Sequence, residues 1–269
     1  MLLVTCASIT QAQKVTELQE VSITAPHAVK IDGKNFEWKD ADFSVSKRTS
    51  LSYVISNDDK NLYLVVKSTD MANNSKILMG GITFSVNPDG KKKEKESIAL
   101  TYPLVNRQAM GGPGGPGGGR RGMDMVRMGG GGPGGWNQMS AKQRDSAAAA
   151  RIKTQLATAK EIKLKDFKKT TDTLVSIYNT SGIKAFASID TANVYFYEVA
   201  IPLEELGISP ASTKEFAYNI KLNGLQMPGL DGPGGGRGGF GGGGNIDFQA
   251  MMSPTDFWGK YILSQVKTP

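Results

Sequence analysis

One cysteine and one histidine are the chain's whole supply of thiol and imidazole. Cys6 can close no disulfide within the chain and builds no cysteine-ligated metal site. His27 alone cannot supply the two imidazoles of an HExxH zinc hydrolase. No apolar run approaches the ~18 to 20 residues that a membrane-spanning helix requires. Glycine is scarce except in two places: 25 of the 33 fall in residues 111–135 and 228–244, which leaves eight for everything else. The glycine excess is therefore local. What remains is ordinary globular sequence within 269 residues, 39% hydrophobic and 21% charged, enough to bury one sizeable core.

Residues 2–9 are apolar, and the small residues Thr10 and Ala12 suit cleavage by a signal peptidase after Ala12. The expectation is a secretory signal over residues 1–12, short enough to be the tail of a longer one, followed by a single domain over 14–269. This places the protein outside the cytoplasm, as a secreted, periplasmic or outer-membrane-associated chain. Lipid attachment at Cys6 fits the pattern less well, because Thr5 stands where a smaller residue is expected.

Beyond the leader the hydrophobic period is two, the mark of half-buried strands. Residues 51–56 and 61–67 alternate on either side of Asn57-Asp58-Asp59-Lys60, which predicts a β-hairpin. Further strands are predicted over 77–86, 97–105, 173–178, 183–189, 194–201, 216–222 and 257–266. This number of short strands separated by turns predicts an all-β fold, an antiparallel β-sandwich of jelly-roll or immunoglobulin-like type. One segment departs from it. Ser140 and Gln143 have the spacing of a capping box, and Ala148, Ile152, Leu156 and Ala159 share one helical stripe, so an inserted helix is predicted over 140–162. Lys160, Lys163, Lys165, Lys168 and Lys169 then read as its solvated C-terminal end. The glycine-rich inserts, 106–139 and 228–250, offer few side chains to bury and read as flexible loops. Strand alternation brings both to one rim of the sandwich.

Ile31-Asp32-Gly33-Lys34 with Trp38, then Tyr53, then Asn57-Asp58-Asp59-Lys60-Asn61-Leu62-Tyr63-Leu64 with Asp70, resembles the opening of family 9 carbohydrate-binding modules and the related DOMON-like sandwiches. Gly81-Ile82-Thr83-Phe84, Asn87-Pro88-Asp89-Gly90-Lys91, the stretch from Tyr197 to Leu203 with Leu206-Gly207, and Phe257-Trp258-Gly259 are similar in kind and order. The resemblance implies a β-sandwich that binds sugar, in some members with structural calcium, on a secreted bacterial protein.

Sugar binding of that kind implies exposed rings, because a pyranose presents apolar faces for stacking and hydroxyls for hydrogen bonds. Trp38 and Trp258 read as framework residues packed in the core. Trp136, Arg237 and Phe240, all in the glycine-rich inserts, are the candidate ligand contacts. Asp58, Asp59, Asn61, Asp70 and Asp89 are the oxygen donors a calcium ion could use, although their spacing matches no regular calcium loop. Met110, Met123, Met125, Met128 and Met139 are soft enough for Cu(I). The carboxylate pairs, Glu204 with Glu205 among them, read as turn and edge solvation rather than the facing acids of a glycosidase. Arg120-Arg121-Gly122 and Arg237-Gly238-Gly239-Phe240 resemble RGG boxes, but export removes their RNA partner, and the net charge of +7 equally suits an acidic polysaccharide. The glycines of 241–244 lack the strand, lysine and helix of a phosphate-binding loop. The sequence therefore predicts a non-enzymatic exported module, without nucleic-acid partner or transmembrane segment, that recognises carbohydrate at the cell envelope. A structural protein using its glycine-rich loops to contact another envelope protein, and a methionine-rich copper-binding module, are the alternatives.

Overall fold

The computed structural model describes residues 17–34, 36–105, 140–224 and 251–265. The expected leader lies outside them. So do both glycine-rich inserts with Trp136, Arg237, Phe240 and the five clustered methionines. In chain order the elements are β1 (Ile23–Thr24), β2 (Ser44–Ser46), β3 (Leu51–Asn57), β4 (Asn61–Ser68), α1 (Met71–Gly80), β5 (Ile82–Asn87), β6 (Ile98–Tyr102) and α2 (Ala141–Leu156). They continue with β7 (Glu161–Lys165), β8 (Leu174–Ser176), β9 (Lys184–Ile189), β10 (Tyr195–Pro202), β11 (Phe216–Leu222) and β12 (Thr255–Tyr261).

The strands form two six-stranded sheets, as the period of two predicts. Sheet A runs β1-β3-β4-β10-β9, with β2 also on β3; sheet B runs β12-β11-β5-β6-β7-β8. Every pairing is antiparallel except the short one between β1 and β3. Alternate residues meet between the sheets: Tyr53, Leu64, Val66, Tyr197 and Val199 from sheet A, Phe84, Leu100, Leu164, Tyr218 and Ile220 from sheet B, all buried in one cluster. Each such side chain contributes roughly 1.5 to 3 kcal/mol by leaving water, which makes the register of both sheets hard to slip.

Two expectations need correction. The predicted strand over 77–86 is a helix followed by a shorter strand: Asp70 caps α1 by accepting from the Asn73 amide at 2.8 Å, and β5 begins only at Ile82. The predicted helix over 140–162 stops at Leu156. Its capping box is present, with Ser140 and Gln143 each bonding the other's backbone amide. Ile162 and Leu164, however, alternate with exposed Glu161, Lys163 and Lys165 as strand β7 on β6. Lys163 and Lys165 are therefore not a solvated helix end but outward positions of sheet B. Helix α2 buries Ala149, Ile152 and Leu156 against the core and packs on β9 and α1.

The two outer faces differ. That of sheet A is closed by the N-terminal segment, whose Ile23, Ala25, Val29, Ile31, Trp38 and Phe43 pack on Val54, Tyr63, Val65 and Ala200. Trp38 is a core residue here, tilted against Tyr63. Gln19 fixes the segment's start by pairing with both backbone groups of Ile55, at 2.7 and 2.8 Å. The outer face of sheet B carries the candidate site.

Candidate functional site: a polar groove on sheet B

Outward positions of sheet B are the ones a half-buried strand leaves polar, and the register aligns them across the sheet. Lys221 of β11 lies opposite Thr83 of β5, Thr83 opposite Thr101 of β6, and Thr101 opposite Lys163 of β7. Two threonines are thus flanked by two lysines in one row. A second row holds Ser85, Ala99 and Lys165. These residues floor a groove of about 640 Å³.

Hydrogen bonds organise the floor. The Asn223 side-chain amide donates to Thr83 Oγ1 at 2.8 Å and to the Gly80 carbonyl at 3.0 Å, and the Thr83 and Thr101 hydroxyls are 2.7 Å apart. Asn223, Thr83 and Thr101 therefore form a chain of polar groups. The Ser85 hydroxyl, which lines the groove, is buried without a partner among the described residues.

One wall is a turn folded back from the β5–β6 connection. The Lys165 ammonium donates to the carbonyls of Glu94, Lys95 and Ser97 at 3.2, 3.0 and 3.2 Å, and Lys221 pairs with Glu94 at 2.7 Å. Two lysines of the floor thereby hold the wall in place. Lys163 has no protein partner among the described residues, and it is exposed beside Thr101. Among the described lining residues four lysines, Lys95, Lys163, Lys165 and Lys221, stand against the single carboxylate of Glu94.

The other end is formed by Met79, Gly80, Leu104, Asn223 and Gly224. Tyr102, Ile82, Leu222 and Thr255 are register partners in succession, so β6, β5, β11 and β12 share this end. Residues 105 and 224, from which the glycine-rich inserts continue, are both rooted there.

The remaining sequence candidates are dispersed. Trp258 is not a core residue: it is half-buried on the outward side of β12, opposite Asn219, which in turn faces Ser85. The strand's core-facing position is taken by Phe257, 4.9 Å from the Tyr53 ring. Trp258 thus shares the groove's face. The five calcium candidates do not gather. Asp58 accepts from the amides of Lys60 and Asn61 and from the Tyr63 hydroxyl in the β3–β4 turn. Asp70 lies at the other end of β4, roughly 25 Å away at about 3.3 Å per residue. Asp89 pairs with Lys91 and Lys214. Among the described residues no group of three His, Cys, Asp or Glu side chains comes together to hold a metal. Glu205 is buried, accepting from the amides of Lys169 and Thr170 and from the Thr170 hydroxyl, while Glu204 pairs with Lys169. No helix among the described residues is long and apolar enough to cross a membrane.

A further carboxylate that the sequence reading did not single out is Glu198 of β10. Its Oε2 accepts from the amides of Asp32 and Gly33 at 3.1 and 2.7 Å, while among the described residues its Oε1 is buried without a partner, as is Glu37 Oε2. Burial pushes the Glu198 carboxyl up to about 7; the two amides pull it down, and Glu37 and Asp32 push it up again. It lies on the closed face of sheet A, away from the groove.

No family model and no curated protein matches the chain. Among solved structures it is similar to a family 9 carbohydrate-binding module from Caldicellulosiruptor kristjanssonii in complex with glucose, with 10% identity, a TM-score of 0.41, and coverage of 93% of this chain and 97% of that one. At such distance the chemistry of the groove has to be taken from its own residues.

Proposed function

We propose that the chain is a non-catalytic, exported binding module that takes up carbohydrate at the cell envelope, in the groove on the outer face of sheet B. The observation that carries this reading is the row Lys221, Thr83, Thr101 and Lys163, extended by Asn223: hydroxyls, an amide and ammonium groups held in register on a concave floor. Sugar hydroxyls both donate and accept, and such a floor offers partners of both kinds. Trp258, half-buried on the same face, adds a ring suited to a pyranose. Trp136, Arg237 and Phe240 stay in the proposal as contacts from the inserts rooted at the groove's end. The test is a glycan array followed by calorimetric titration of the best ligand with the wild type and with Thr83→Val/Thr101→Val. The double variant is expected to weaken binding roughly tenfold, since each lost hydrogen bond contributes about 0.5 to 1.5 kcal/mol. A wild-type protein that retains no glycan defeats the reading.

A further inference from the structure

We infer that the groove selects glycans bearing negative charge, carboxylated sugars such as uronates, over neutral ones. The inference rests on the reading of the groove as a carbohydrate site and names its ligand class. It is carried by how the four lysines are used. Lys165 is committed to three backbone carbonyls and pairs with Asp166 at 3.3 Å, and Lys221 is held by Glu94 with Asp256 opposite it on β12. Among the described residues Lys163, in contrast, stands in the same row with no counter-ion, beside Thr101, and Lys95 on the wall is likewise unpaired.

A neutral sugar laid along the threonines would strip water from the Lys163 ammonium and return only neutral hydrogen bonds. A carboxylate on the sugar would replace that water with a charge-assisted bond while its ring hydroxyls meet Thr83, Thr101 and Asn223. The lysine and threonine lie side by side across neighbouring strands, where cross-strand Cβ atoms are ~5 Å apart, so one sugar unit can reach both. The positive excess of the described lining residues, four ammonium groups against one carboxylate, favours the same ligands at longer range.

The experiment compares oligogalacturonate with its fully methyl-esterified form, the same backbone without the charge, by titration against the full chain. Oligothymidylate of equal charge serves as a polyanion that is not a sugar. The acidic form is expected to bind roughly tenfold more tightly than the ester, and that advantage should shrink as salt rises through about 0.5 M. Lys163→Met is expected to lose most of the preference and Lys163→Arg to keep it; Lys163 is exposed, so both variants should fold. Equal binding of acid and ester, or a neutral array ligand bound while both are refused, overturns the charge inference and leaves the carbohydrate reading in place. Oligothymidylate bound as tightly as oligogalacturonate overturns the selectivity for sugars. Refusal of every glycan, charged and neutral, removes both readings.

Discussion

At the scale of single residues, the least ordinary position is Glu198, a carboxylate buried beneath the turn at Gly33. Gly33 sits at φ +78°, and a Cβ on it would come within 2.7 Å of the Phe186 ring, so the turn admits no larger residue without strain. Its amide is thereby delivered to Glu198. Because the carboxyl titrates near 7 when folded and near its ordinary 4.5 when unfolded, the folded state retains a proton over that interval which the unfolded chain has released. The contribution to stability is full below about 4.5 and is lost as pH rises through 7. Glu198→Gln should abolish this dependence: its thermal midpoint is expected to exceed the wild type's by several degrees at pH 8, corresponding to about 3 kcal/mol, and to match it at about pH 3.5, below both pKa values. Thermal unfolding at both pH values checks it.

At the scale of elements, what the sequence revealed depended on how locally each structure is specified. The β3–β4 hairpin was legible because its alternation and its Asn-Asp-Asp-Lys turn lie within one short window. Helix α2 announced itself by its capping box, and Ser140→Ala is expected to cost about 1 kcal/mol and to raise amide exchange in its first turn. Where that helix ends was not legible: Ile162 lies three residues after Ala159, so helical spacing and the start of β7 coincide. Helix α1 was hidden because Ile77-Leu78-Met79 adjoins Ile82 and looks like one long strand; the available signal was Asp70 as an N-cap. The β11–β12 hairpin supplies a further test. Gly224 stands against the backbone of Met252, so the described residues on either side of 225–250 lie close together. Replacing them with an Asn-Gly turn should keep the thermal midpoint within about 2 °C and, on the proposal for Arg237 and Phe240, weaken glycan binding. Differential scanning calorimetry and titration of the same variant separate the two effects.

At the scale of the molecule, the sandwich could be inferred from period alone, but the site could not. Thr83, Thr101, Lys163 and Lys221 look like the solvated side of four separate strands, and they become a row only through pairings that join residues up to about 140 positions apart. The aromatic and glycine-rich segments drew attention because they are unusual in composition, whereas the groove is built from common residues in uncommon register. Trp258 was misjudged for a related reason: which face of a strand a residue occupies depends on a partner, here β11, that the local sequence does not name.

The chain's two described ends are joined at the side remote from the glycine-rich roots. Ser22 and Thr24 bond Ile262 and Ser264, Tyr261 bonds Ile23, and Ser264 bonds Asn57 in the far turn of sheet A. Whatever is fused or fastened at residue 265 therefore departs from the pole opposite Leu104 and Gly224. A protein moored through that point would carry the Leu104–Gly224 end of its cleft farthest from the mooring.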